Sequence, residues 1–482
     1  MDIKKIEFSS KNNFSFNVGK NLKIDNFKVE SIIDLNQLIF NQKNLKLKPY
    51  LPNYIGEIKL KEHKVIINYK NNKLDISGKG NIILQDKLDN LSYQIIKNNS
   101  NFSFNSLINL KNNSLLIEPL DYEKKEGLSS LISIKGNFKK DNKLRLDLIS
   151  LKQKDNSISV EGLNFNKDFK IIGIEAFNIN YKNNKKILNN LNLKKDNSNF
   201  IIEGESFDAS RIINNIMDSD EESSHIFENL NSKINIRIKK TYIDEINYMN
   251  DLYGDISFNN NKINDLTIES TFPNQKKINL SIKINNNSET ITKLFSAYPK
   301  PLIKRYDFIK GFEEGYLDFY SSKKGSVSNS VLIIDNFKVK EVPVFAKLLS
   351  LASLQGIADL LTGEGIRFTD FEMNFSNQKG LTTIEEMYAI GPAVSILMNG
   401  YIETRKLVSL RGTLVPATTI NKSIASIPLL GKILIGDKAG EGVFGVSFKI
   451  KGPPKNLKTT VNPIKSLTPR FITRTLEKIK KN

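Results

Sequence analysis

The sequence predicts a mostly β protein, a long curled antiparallel sheet forming an apolar groove, with a few short helices concentrated in the C-terminal third. Three observations carry this expectation. From Met1 to about Ile284, apolar residues recur at every second position, the period of a strand with one buried face. Clusters such as Lys70-Asn71-Asn72-Lys73 and Asn259-Asn260-Asn261-Lys262 separate the runs, as hairpin loops should. Glycines recur inside the runs, at Gly78, Gly136, Gly162, Gly204 and Gly400, where a bulge or bend lets a long sheet curl.

The strand signal is clearest in a few places, and these define the expected lining of the groove. Leu74, Ile76, Ile82 and Leu84 flank Gly78 and Gly80. Leu144, Leu146 and Leu148 alternate with Arg145 and Asp147; Ile234, Ile236 and Ile238 alternate with Asn235 and Arg237. Ile278, Leu280, Ile282 and Ile284 continue the pattern, and Phe444, Val446 and Phe448 repeat it near the C-terminus. Two short helices are expected within this region. Ser206 to Met217 sets Ile212, Ile213 and Ile216 on one face, and Ser288 to Tyr298 starts on a capping residue and ends at Pro299.

Composition narrows the chemistry. The 482 residues exceed one small domain, and the expected division is a repetitive β region over 1–330 and a distinct region over 331–482. With no Cys and only two His, thiol chemistry is absent and imidazole chemistry has almost no parts. His63, between Glu62 and Lys64, and His225, after an acidic loop, are both expected on the surface. Asp218, Asp220, Glu221 and Glu222 read as a solvated loop and not a cation site. No catalytic constellation, cofactor site or metal site emerges, and the expectation is a protein that is not an enzyme. The net charge of +19 comes from lysines spread among Asn and Ile without a reader motif, so nucleic acid is not an expected partner. The first eight residues, Met1 to Phe8, mix apolar and polar side chains in strand rhythm, unlike a signal or anchor segment. The chain is therefore expected to be the downstream piece of a longer polypeptide or of a split reading frame.

Beyond about Val331, Asn and Lys thin out and two strongly apolar segments appear. Over 343–361, Pro343 suits a first helical position, and Phe345, Leu348, Leu349, Leu351, Leu354, Ile357 and Leu361 follow before Gly363. Polar residues do not gather on one side of it, so the segment is expected to plug the end of the groove or to meet lipid. Over 424–435, Ile427, Leu429, Leu430, Ile433 and Leu434 surround Pro428 and Gly431, a stretch too short to cross a bilayer. A last helix from Thr468-Pro469 places Phe471, Ile472, Leu476 and Ile479 among Arg and Lys, which reads first as a solvated final helix and, alternatively, as a basic amphipathic end lying on an anionic membrane surface.

The residues of this third carry a resemblance. They include Val342-Pro343-Val344-Phe345-Ala346-Lys347-Leu348-Leu349 with Gly363-Glu364-Gly365-Ile366, then Gly391-Pro392 and Arg411-Gly412-Thr413-Leu414-Val415-Pro416. Ile427-Pro428-Leu429-Leu430-Gly431, Gly440-Glu441-Gly442-Val443-Phe444 and Val461-Asn462-Pro463 complete the set. In order and spacing, over about 330–470, they resemble the AsmA-like C-terminal region of YhdP-type members of the AsmA/TamB superfamily. The resemblance implies a long β-groove protein of a Gram-negative envelope, periplasmic and associated with the inner membrane, that carries phospholipid toward the outer membrane. Acyl chains leave water at about 0.8 kcal/mol per CH₂, so an apolar trough holds lipid tails without any catalytic residue. The alternative for the same apolar faces is a filled sandwich core, which would make the chain an all-β scaffold or adhesin.

Overall fold

A computed structural model describes residues 2–41, 47–138, 144–213, 230–303, 310–341, 365–392, 394–404, 406–416, 446–454 and 456–463. Strands dominate them, and 26 strands belong to one mixed sheet that is not closed. Contacts divide the chain into two compact units, Met1–Ile263 and Asn264–Asn482. The compositional change near Val331 falls inside the second.

In the first unit the chain forms β1 (Asp2–Val18), β2 (Ile24–Asn41), β3 (Glu57–Lys70), β4 (Lys73–Ile83), β5 (Leu88–Asn98) and β6 (Asn101–Leu110). A small hairpin of β7 (Leu115–Ile117) and β8 (Tyr122–Lys124) follows and stands outside the sheet. The meander resumes with β9 (Ser130–Phe138), β10 (Leu144–Gln153), β11 (Asn156–Phe165), β12 (Ile171–Gly173), β13 (Ala176–Lys182), β14 (Leu188–Asp196) and β15 (Asn199–Asp208). β16 (Ser232–Tyr242) and β17 (Tyr248–Asn259) end it. Strands pair antiparallel with their sequence neighbours, except that β6 passes over the hairpin to β9 and β13 passes over β12 to β11, until β15 meets β16 in parallel. The sheet is therefore mixed where the sequence predicts an antiparallel one, because the chain between Asp208 and Ser232 is long enough to return to the end where β15 began.

The second unit runs through β18 (Lys262–Thr271), β19 (Lys277–Ile284), β20 (Thr290–Ser296), β21 (Lys310–Lys324), β22 (Val327–Glu341), β23 (Ile366–Gln378), β24 (Leu381–Ile390), β25 (Val394–Glu403), β26 (Leu407–Pro416), β27 (Val446–Gly452) and β28 (Lys458–Pro463). All its described pairings are antiparallel between neighbours.

Two expected helices change. Ser288 to Tyr298 is not a helix, since Thr290–Ser296 is β20, paired on both sides. The β-branched run Thr290-Ile291-Thr292 favours a strand. The turn before it is set by Asn285, whose Oδ1 accepts from the N–H groups of Asn287 and Glu289, both at 2.9 Å. In Ser206 to Met217, Ser206–Asp208 finishes β15, and helix is described only over 210–213, where the Ser210 N–H donates to Asp208 Oδ1 at 3.0 Å. The remainder lies outside the described residues, as do His225, the acidic loop 218–222, both apolar segments 343–361 and 424–435, and the basic terminal segment.

Connections differ in kind at the two ends of the strands. In the first unit one end carries tight turns at Asn71-Asn72, Asn99-Ser100, Asn197-Ser198 and Asn260-Asn261. Five of these six asparagines' backbones, at 71, 72, 99, 197 and 260, have φ between 47° and 60°, a left-handed geometry that Asn tolerates. The other end carries the connections 42–56, 84–87, 111–129 and 183–187 together with the tight turn Lys154-Asp155, while the connection 166–175 lies at the first end. The second unit repeats the division, with short turns at Gly325-Ser326 and Lys379-Gly380 opposite the connections 297–309, 342–365 and 417–445. These ends are called the turn rim and the loop rim.

Candidate functional site: an apolar sheet face

The candidate site is the face of the sheet that collects the apolar residues. In the first unit the register lines up Tyr93, Ser106, Ile134, Ile149 and Val160 on successive strands, then Phe177, Leu193, Ile202 and Ile236. None of these positions is charged, and all nine are half-buried. The next row toward the loop rim is more covered: Leu151, Ile158, Ile179, Ile238 and Leu252 are 2–7% exposed. The second unit repeats this gradient. Ile268, Leu280, Leu294, Phe319, Leu332, Met373 and Met387 form a half-buried row, while Ile278, Leu317, Ile334, Ile396 and Leu414 beside it are buried. Two half-buried aromatic rings, Phe319 and Phe375, stack with centroids 6.5 Å apart.

The cover at the loop rim is specific. Leu51, Ile58, Ile82, Leu84 and Leu110 make a packed cluster with Leu47, Tyr54 and Leu115 from the connections. The β7–β8 hairpin is held by polar contacts. Lys124, fully buried, donates from Nζ to the carbonyls of Lys111 at 2.9 Å and Asn113 at 2.5 Å. Burial lowers its pKa, against the pull of Asp89 and Glu126. Asp89 accepts from the N–H groups of Lys111 and Asn112 and from the Asn113 amide at 2.7–2.8 Å. The Tyr122 hydroxyl donates to Gln153 at 2.6 Å, and burial pushes it up to about 12. Tyr181 meets Tyr122 edge-on at 5.2 Å and donates to the Leu120 carbonyl.

The expected lining residues divide between cover and open face. Leu74, Ile76, Leu144, Leu146, Ile234, Ile236, Leu280 and Ile282 are half-buried, and Ile284 is exposed beside the turn rim. Ile82, Leu84, Ile238, Ile278 and Phe448 are buried toward the loop rim. Val446 pairs with Leu414. Leu148 stands apart from its two neighbours. The β9–β10 register shifts between Leu146 and Leu148, placing Leu146 opposite Gly136 and Leu148 opposite Lys135. Across β11, Leu148 faces exposed Glu161, next to Gly162, whose φ of 62° makes the matching bulge. Phe444 and the membrane-contact set, Phe345 to Leu361 and Ile427 to Leu434, lie outside the described residues.

His63 is a correction, because it is 1% exposed where the surface was expected. The register shifts between Lys61 and Lys64, turning the ring inward opposite Leu35. It packs on Gly80, where a Cβ would come within 2.5 Å of the ring, and Nε2 lies 2.9 Å from the Asn81 carbonyl. Burial lowers its pKa, with the Asn81 contact opposing.

Other chemistry is sparse. Among the described residues no group of acidic or His side chains could hold a metal ion, and no helix is long and apolar enough to cross a membrane. A concavity of about 370 Å³ in the second unit is lined by Ile268, Leu280, Leu294 and Phe319 of the half-buried row and by residues alternating with them, among them Phe295 and Tyr320. No protein family, curated protein or solved structure matches the chain.

The sequence reading passes over most of the half-buried row, including Tyr93, Ile134, Phe177, Leu193, Leu294 and Met387. Their alternation is visible in stretches such as Leu131-Ile132-Ser133-Ile134 and Ala176-Phe177-Asn178-Ile179. Only the register shows that they line up.

Proposed function

We propose that the apolar face holds the acyl chains of phospholipids and that the protein carries lipid along it, without catalysis. One observation carries this reading: the central rows are uncharged and, Ser106 apart, apolar, and they stay half-buried from Tyr93 to Ile236 and from Ile268 to Met387. A side chain with sheet neighbours on both sides is half-covered by them alone. Full burial requires a second layer, as at the loop rim, and a filled sandwich would supply it everywhere. A half-buried apolar row of this extent suits a ligand or membrane surface.

The resemblance of residues 330–470 supports the wider setting: a periplasmic protein of a Gram-negative envelope, working between inner and outer membranes with an upstream polypeptide that supplies the anchor. The apolar segments 343–361 and 424–435 fit contact with a membrane surface.

The test is mass spectrometry of lipid co-purifying with the full chain, beside a variant carrying Phe177→Glu and Ile236→Glu. Both positions are half-buried, so the charges enter the open row and spare the covered one. The parent should retain phospholipid and the variant should lose it. Equal lipid in both, or none in either, would reject the reading.

A further inference from the structure

Two hairpins on the turn rim of the first unit share a sequence. Lys97-Asn98-Asn99-Ser100-Asn101-Phe102 joins β5 to β6, and Lys195-Asp196-Asn197-Ser198-Asn199-Phe200 joins β14 to β15. Their geometry matches as well. Asn99 and Asn197 have φ of 56° and 55°, and the register sets Lys97 opposite Phe102 and Lys195 opposite Phe200. Lys97 Nζ lies 5.3 Å above the Phe102 ring.

Both lysines stand on the apolar face. Lys97 is also opposite Leu74, and Phe102 is opposite Phe138; Lys195 follows Leu191 and Leu193 at strand spacing, and Phe200 lies opposite Ile234. The neighbouring acid, Asp196, is one residue on and so falls on the other face. Neither lysine has a carboxylate within ion-pair distance among the described residues, although Lys195 lies near enough to help lower the Glu175 pKa; at the loop rim Lys87 pairs with Glu126, Lys185 with Asp208 and Arg211 with Asp121. Lys70 and Lys73 flank the neighbouring Asn71-Asn72 turn on the same rim.

We infer that these two hairpins are headgroup seats and that the lipid carried is anionic, a reading that rests on the acyl-chain function proposed above. Tails lie on the half-buried row, the phosphate meets Lys97 or Lys195 at the wet rim, and Phe102, 36% exposed, packs against the glycerol end of the tails, whereas Phe200 is already buried at 8%. Aromatic and lysine side chains together suit such a boundary, because each joins an apolar body to a polar or charged tip. The apolar face beside the lysines favours a lipid over a nucleic acid as the source of phosphate.

The test loads the full chain from vesicles of phosphatidylglycerol or of phosphatidylcholine, removes the vesicles, and counts bound lipid by mass spectrometry. The parent should prefer phosphatidylglycerol. In the double variant Lys97→Gln with Lys195→Gln, loading of phosphatidylglycerol should fall about fivefold per lysine while phosphatidylcholine is unchanged. Titrations with inorganic phosphate and with single-stranded RNA give the remaining arms, and both should show weak, lysine-independent binding. Equal loading of the two lipids by the parent, a preference that survives in the variant, or lysine-dependent binding of phosphate or RNA alone would each overturn the assignment. A parent that takes up neither lipid would instead remove the acyl-chain function beneath it.

Discussion

The loop rim and the middle of the apolar face are built from the same strands, often from residues two apart, and they differ in what lies above them. On β13, Ile179 is 2% exposed and Phe177 is half-buried. Both are apolar and both stand on one face. Cover comes largely from the connections: 47–56 packs over the first strands, and Tyr122 of the β7–β8 hairpin meets Tyr181, two residues from Ile179. Connections of unequal length at the two rims thus let one sheet carry buried and half-buried apolar rows side by side.

Truncation is the strongest way to break that comparison. Ile179→Ala should cost about 3 kcal/mol, the usual loss for a buried aliphatic side chain that leaves a cavity. Phe177→Ala should cost about 1 kcal/mol, because most of the removed ring had little packed above it. Were the middle of the face filled, the order would invert, since a buried Phe loses more than a buried Ile. Urea unfolding of the two variants decides between these outcomes.

A smaller effect sharpens what covers the loop rim. Lys124→Met keeps the length of the side chain but strands the Asn113 carbonyl, which now receives its Nζ, while the Lys111 carbonyl keeps only the Gly127 N–H at 3.0 Å. The expected cost is about 2 kcal/mol, the price of leaving a buried acceptor unpaired. Hydrogen exchange should show it first in the β7–β8 hairpin, with the half-buried row unaffected.

Much of the fold was legible because period two survives in the letters: Ile234, Ile236 and Ile238 alternate in burial with exposed Asn235, Arg237 and Lys239 as the pattern requires. Bulges defeated it locally. Leu148 changes face because two strands each carry an extra residue, at Asp147 and Gly162, and the glycine alone does not announce its partner. Ser288 to Tyr298 was misread because a capping residue and a terminal Pro outweighed the β-branched run between them. Lys97 and Lys195 were hidden by composition, since in a chain this rich in Lys and Asn their shared hairpin gains meaning only when register puts both on the apolar face.

The smallest expected effect concerns the one described histidine. His63 sits in the cover, not on the surface, and burial lowers its pKa below the usual 6.5. As pH falls through 6.5 the unfolded chain takes up a proton there while the folded chain does not. The unfolded state then binds more protons, and stability declines until the folded ring also titrates. His63→Leu removes that titration and the donor to the Asn81 carbonyl, at a cost of about 1 kcal/mol near neutrality. Urea midpoints measured from pH 7.5 downward should therefore converge, the parent losing stability relative to the variant as the solution acidifies. Parallel curves would mean that the ring is solvated in the folded state, and that the loop rim near β3 and β4 is as open as the middle of the face.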